Sequence, residues 1–228
     1  MSAFFVTSSG TDVGKTFVTA GLLRTYQNQN RIAHAVKPVL SGFDPAKIEE
    51  SDTGILLAAM KQDATMKNVE VITPWRFTAP LSPDMAARQE GSSLDFEAVV
   101  DFSRRAIDDH STLLIEGVGG VMAPLTETHT VLDWMEALGV RTLLVVGSYL
   151  GAISHALTAL KVVQSHGFQV AAIVVSESAD STVPFEETLN SISHFAGNVP
   201  CVAVPRAPEA HAPAFENLIE VLDTNELS

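Results

Sequence analysis

The first residues that could do chemistry follow a short apolar run. They read Ser8-Ser9-Gly10-Thr11-Asp12-Val13-Gly14-Lys15-Thr16, and Phe17 continues into a helix-like segment that reaches position 26. Such an ending supplies glycine where backbone N–H groups approach phosphate oxygens, a lysine that reaches the β- and γ-phosphates, a hydroxyl for Mg²⁺, and a helix N-terminus behind them. The strict pattern G-x-x-x-x-G-K-[ST] would place glycine at position 9, where Ser9 stands. A bare Gly-Lys-Thr also begins plain surface helices. The strand-like run before it and Gly10 favour a phosphate loop, which by itself implies only a nucleoside triphosphate.

Three further segments carry groups suited to that ligand. Lys37 ends a second apolar run and leads into Pro38 and Ser41-Gly42. At the carboxyl end of a parallel strand it would stand beside the phosphate loop, adding positive charge where a phosphoryl group and an anionic acceptor repel each other. A solvated strand-end lysine is the plainer alternative. Asp52 starts a helix-like stretch, either as its N-cap or as a carboxylate near Mg²⁺, and the residue types alone favour the cap. Glu116 closes an apolar strand and runs into Gly117, Val118, Gly119 and Gly120, the location where NTPases hold Mg²⁺ through a carboxylate. The alternative there is a glycine turn with a solvated glutamate.

The elements that must position these groups are legible as apolar runs alternating with helix-like stretches, the signature of βαβ units. Seven strands are expected, at 3–7, 32–37, 69–72, 113–116, 142–146, 170–175 and 201–204. Helices are expected to start near Gly14, Asp52, Ser82, Asp95, Val131, Ala152, Val183 and Pro213. The runs are apolar throughout rather than alternating, as in strands covered on both faces. The expectation is thus an α/β three-layer fold around a mostly parallel sheet of about seven strands, as one domain over 1–228, with a frayed tail at 224–228.

Composition narrows the function classes. The 228 residues carry 14 Lys+Arg against 27 Asp+Glu, a formal charge of −13, and no basic run; a nucleic-acid partner is therefore not expected. Apolar residues make up 46% and charged residues 18%, which is a globular and not a disordered balance. Cys201 is the only cysteine, so no disulfide framework or CxxC motif is available and a reducing, cytoplasmic setting is expected. The start of the chain lacks the features of a signal peptide. Positions 142–160 carry no Lys, Arg, Asp or Glu, but Gly147, Ser148 and Gly151 interrupt them, so strand, loop and helix are expected rather than a membrane span. The seven histidines form no metal-binding pattern.

Taken in order, these residues resemble the dethiobiotin synthetase family. The matching positions are Thr11 with Val13-Gly14-Lys15-Thr16; Lys37-Pro38-Val39 with Ser41-Gly42; Asp52; Ala79-Pro80-Leu81-Ser82-Pro83; Glu116-Gly117 with Gly119-Gly120 and Pro124-Leu125; and Gly147 with Leu150-Gly151 and His155. The resemblance implies a P-loop NTPase-like homodimer that converts 7,8-diaminopelargonate, CO₂ and ATP to dethiobiotin, ADP and phosphate. It implies Lys37, Lys15 and Thr11 in catalysis, and Thr16, Asp52 and Glu116 around Mg²⁺, against the cap reading of Asp52. It places the nucleotide on Asp12, Val13, Gly14, Lys15, Thr16, Phe17, Asp52, Glu116, Gly117, Val118 and Gly119, with Ser176, Glu177, Pro205, Arg206 and Ala207 at its base. It places the diamine on Thr11, Lys37 and Ser41, and on Gly151, Ala152, Ile153 and Ser154 across the dimer interface.

The chain departs from that family's pattern at Ser8, Gly10 and Asp12 in the loop, at Ser154, and at Ser176-Glu177, where an Asn-Asp pair commonly reads adenine. Relaxed choice among nucleoside triphosphates is the expected consequence. Two other functions share the phosphate loop. One is ATP-dependent amide formation, whose enzymes often carry a glutaminase domain with a nucleophilic cysteine. The other is a nucleotide-switch ATPase with a protein partner, a class that often has an additional lysine early in the loop, where Ser8, Ser9 and Gly10 stand.

Overall fold

A computed structural model describes residues 2–110, 112–179 and 181–224. In chain order it contains β1 (Ser2–Ser8), α1 (Lys15–Asn28), β2 (His34–Val36), β3 (Val39–Ser41), α2 (Asp52–Ala59), α3 (Met66–Ile72), β4 (Trp75–Phe77), α4 (Pro83–Gln89) and α5 (Phe96–Asp109). It continues with β5 (Thr112–Glu116), α6 (Val131–Leu138), β6 (Arg141–Val146), α7 (Ala152–Ser165), β7 (Val170–Ser176), α8 (Phe185–Phe195), β8 (Cys201–Val204) and α9 (Pro208–Thr224). The expected tail lies outside the described residues beyond Thr224.

Six strands form the central sheet in the order β2-β5-β1-β6-β7-β8, and every pair is parallel. Its strands are apolar on both faces because helices cover both: Phe4, Phe5, Leu113, Leu114, Leu143, Leu144, Val174 and Val175 are all buried. Helix α1 packs with α2 and α9, while α5 pairs with α6 and α7 with α8. Crossovers between parallel strands are right-handed as a rule, and here they run one way from β1 to β2 and the other way from β2 to β8, which puts α1 and the helices α5 to α8 on opposite faces. The close approach of α9 to α1 needs Gly21, because a Cβ there would fall 2.0 Å from the Phe215 ring.

Among the described residues the central sheet has six strands, against about seven expected. The run 69–72 is the second half of α3: Val69 and Ile72 are buried and Glu70 and Val71 exposed, a helical spacing, and the Thr65 hydroxyl accepts from the Asn68 N–H at the helix start. Side-chain spacing there outweighs β-branched content. The second strand is shorter than expected, and Pro38, which has no N–H, separates it from β3. Strands β3 and β4 are three residues each and pair in parallel only with one another, too short to leave a periodic signal. The last helix starts at Pro208, with Pro213 inside it, because an N-terminal proline already fits the first turn at 208. Among the described residues no helix is long and apolar enough to cross a membrane.

Candidate active site

Because the central strands are parallel, Ser8, Glu116, Val146 and Ser176 end on one edge of the sheet, and the loops that follow them meet there. Position 14 needs glycine twice over. Its φ is +101°, and a Cβ would lie 2.6 Å from Ser176 Oγ. Gly14 therefore lets the loop press against the end of β7 as it turns into α1. No side chain caps α1, and its first turn holds no acidic residue, so its N-terminal N–H groups and positive dipole end are available to an anion.

Lys15, nearly buried, donates from Nζ to the Gly119 carbonyl at 2.7 Å and to Ser8 Oγ at 3.1 Å. Burial, and then the charge of Lys37, bring its pKa down to about 8. Lys37 is buried at the end of β2 and donates to Glu116 Oε1 at 2.8 Å, with Asp52 Oδ2 at 2.9 Å. Burial alone would lower the pKa of Lys37, but Glu116 and Asp52 together hold it above the ordinary lysine value. Burial would likewise raise Asp52, and the Lys37 ammonium holds that carboxyl below its usual range. Thr16 Oγ1 donates to Glu116 Oε1 at 2.6 Å.

Asp52 is free for this because it is not the cap of α2. Ser51 is: its hydroxyl accepts from the Gly54 N–H at 3.1 Å. The cap reading of Asp52 is thereby corrected. Glu116 Oε2 is buried without a hydrogen-bond partner. Together with the Asp52 carboxylate and the Thr16 hydroxyl it forms a set of hard oxygen donors of the type Mg²⁺ takes, so the residues fit that ion.

Two clefts open on either side of the loop. One, of about 680 Å³, is lined by Thr11, Lys15, Thr16, Lys37, Ser41 and Asp52, with Val118 and Gly119 opposite. Asp12, Gly14, Phe17, Leu40, Ala123 and 80–83 complete its wall. The sequence named the 79–83 block only as part of a resemblance, because apolar and proline residues carry no chemical signature. The second cleft, about 590 Å³, shares Thr11, Asp12, Gly14 and Phe17 with the first and is further lined by Val13, Ser176, Glu177 and Arg206. Tyr149, Ser178 and His211 also line it and were not singled out from the sequence. Arg206 closes this end by two bonds, its N–H to Glu177 Oε2 at 2.7 Å and its Nε–H to the Glu177 carbonyl at 2.9 Å. Pro205, Ala207 and Gly117 flank these groups without lining either cleft. Gly151, Ala152, Ile153 and Ser154 sit at the start of α7 and line neither one.

The family described as "AAA domain" matches residues 2–214. The chain is 47% identical over 225 residues to the ATP-dependent dethiobiotin synthetase BioD of Phenylobacterium zucineum, covering 97% of this chain and 95% of that protein. It is 45% identical over 217 residues to the protein of the same name from Acidiphilium cryptum, covering 93% and 96%. Among solved structures it resembles cobyrinic acid a,c-diamide synthase from Mycobacterium smegmatis with bound ADP and magnesium (TM-score 0.57, 13% identity, 100% and 96% covered). It also resembles the septum site-determining protein MinD with Mg-ADP from Pyrococcus horikoshii (TM-score 0.54, 16% identity, 99% and 97% covered). These two likenesses show the fold, an α/β P-loop NTPase-like fold.

Proposed function

The chain belongs to the dethiobiotin synthetase family, ATP-dependent ligases of biotin synthesis, and from that premise we propose how its two clefts divide the reaction. The nucleotide lies over the phosphate loop with its base toward Ser176, Glu177 and Arg206, and 7,8-diaminopelargonate with CO₂ lies in the larger cleft beside Lys37, Thr11 and Ser41. The observation that carries this reading is the buried Lys37 ammonium, held between Glu116 and Asp52 on the wall that also presents Lys15.

A substrate amine in its free-base form captures CO₂ as a carbamate and gives up a proton to solvent. Lys37 is too firmly protonated to take that proton, and acts as the cation that steadies the carbamate. A carbamate oxygen attacks the γ-phosphate and ADP leaves, giving a carbamic-phosphoric anhydride. Lys15 and Lys37 spread the charge of the transfer. The second amine then attacks the carbamate carbon, closes the ureido ring and expels phosphate. Thr16, Asp52 and Glu116 would hold Mg²⁺, which supplies charge neutralisation on the phosphates.

The whole chain acts as one catalytic domain. A cytoplasmic location and a homodimer belong to the same reading. Leu150, 82% exposed, stands at the head of α7 beside Gly151–Ser154, which supports a partner subunit there whose cleft this helix start completes. The test is phosphate release with ATP, Mg²⁺ and bicarbonate, with and without the diamine, with the product weighed by mass spectrometry. Diamine-dependent release with dethiobiotin formed supports the reading; release that needs a protein partner instead overturns it.

A further inference from the structure

Ser8 is wholly buried at the end of β1, and its hydroxyl has three neighbours: the Gly10 carbonyl at 2.6 Å, the Gly119 carbonyl at 2.9 Å and Lys15 Nζ at 3.1 Å. A hydroxyl has one hydrogen, which goes to a carbonyl, and two lone pairs, which leaves it an acceptor for the ammonium. Lys15 therefore spends one N–H on Ser8 Oγ and a second on the Gly119 carbonyl. One N–H of the ammonium is left over for a ligand, and Lys15 lines the larger cleft.

The backbone around Ser8 is closely packed. Val121 N–H donates to the Ser8 carbonyl at 2.9 Å, and a Cβ at position 120 would come 3.1 Å from the Gly10 nitrogen. The phosphate loop and the loop after β5 are thus packed backbone to backbone around this hydroxyl. Resting on the reading of the cleft as a nucleotide site, we propose that Ser8 is a positioning residue that aims the Lys15 ammonium at the terminal phosphates.

An alanine at position 8 leaves one N–H of a buried ammonium unmatched and its direction loose. The test is calorimetric titration of ADP and of AMP, each with Mg²⁺, into the full chain, Ser8→Ala, Lys15→Met and the double variant. The expected result is roughly tenfold weaker ADP binding by Ser8→Ala, the scale of one hydrogen bond to a charged group. AMP, which lacks the terminal phosphates, should change by less than about twofold, and adding Ser8→Ala to Lys15→Met should change ADP binding no further. A merely structural role would weaken ADP and AMP alike, or persist in the Lys15→Met background, and either result overturns the proposal. Equal ADP affinity in Ser8→Ala and the parent does the same. Should Ser8→Ala fold poorly, Ser8→Gly gives the same comparison with no added atom. If the parent chain binds no ADP, the nucleotide reading itself falls, which the parent titration alone reveals.

Discussion

Lys37 Nζ lies 2.8 Å from Glu116 Oε1, with side-chain exposures of 3% and 0%, so the cation of β2 and the anion of β5 neutralise each other inside the protein. Removing Lys37 takes this buried cation from Glu116, whereas removing Glu116 leaves Lys37 with Asp52 alone. This ties the cation proposed for catalysis to the stability of the site.

Lys37→Met is therefore expected to act on two levels. Turnover should fall about a hundredfold or more, the scale of losing one group that stabilises transition-state charge. Unfolding should become easier by about 3 kcal/mol, because Glu116 loses its buried partner. Steady-state kinetics and denaturant titration of the same preparation check both, and near-normal ring closure would remove Lys37 from the mechanism.

Lys15 makes nucleotide affinity pH-dependent. Its pKa in the free chain is about 8, so the ammonium loses its proton as pH rises through that value, and phosphate binding weakens with it. The sign for stability is opposite. Between about 8 and the model-peptide value of 10.5 the unfolded chain binds the proton that the folded chain has released, so this lysine's contribution to stability rises across that window. ADP titrations from pH 7 to 9.5, set against Lys15→Met, isolate the effect; a flat profile for the parent contradicts it.

Gly14→Ala is expected to disable nucleotide binding while the sheet still forms. The left-handed backbone costs an alanine about 1–2 kcal/mol, and its methyl would meet Ser176 Oγ at 2.6 Å. Adding Ser176→Gly should restore part of the lost affinity by removing that contact, which a thermal-shift series with ADP would show.

Base selection is expected to be weak. Glu177 Oε2 and its carbonyl are already occupied by Arg206, and Ser176 is pressed against Gly14, so these groups grip each other more than a base edge. Rates with ATP, CTP and GTP should give kcat/KM values within about tenfold, the effect of about 1.4 kcal/mol. A thousandfold preference for one triphosphate would count against this.

The Thr130–Asp133 capping box should set a pH-sensitive end on α6. Hydrogen bonds from the Thr130 hydroxyl and N–H, at 2.7 and 2.6 Å, hold the Asp133 carboxyl below its usual range. That stabilisation is complete above the usual carboxylate range and is lost as pH falls through the lowered value. Asp133→Ala should cost about 1 kcal/mol at pH 7, with a smaller difference in acid, read from urea midpoints.

The chemistry-bearing ends of the strands are legible along the chain. Short-range rules fix a phosphate loop between an apolar run and a helix, and Glu116 at the end of such a run, because backbone geometry and side-chain type act over a few residues there. They also fixed the α/β class through strands buried on both faces. Relationships between distant segments arise only when the chain folds. Strand order brings Lys37, Asp52 and Glu116 to one point, and no spacing along the chain encodes 79 residues of separation between Lys37 and Glu116. Ser51, not Asp52, caps α2, a choice made by one hydroxyl's contact with the Gly54 N–H and by the pull of Lys37 on the neighbouring carboxylate. The 69–72 run became helix because burying Val69 and Ile72 on one face outweighed its strand-forming residues, and β3 and β4 exist only because each meets the other.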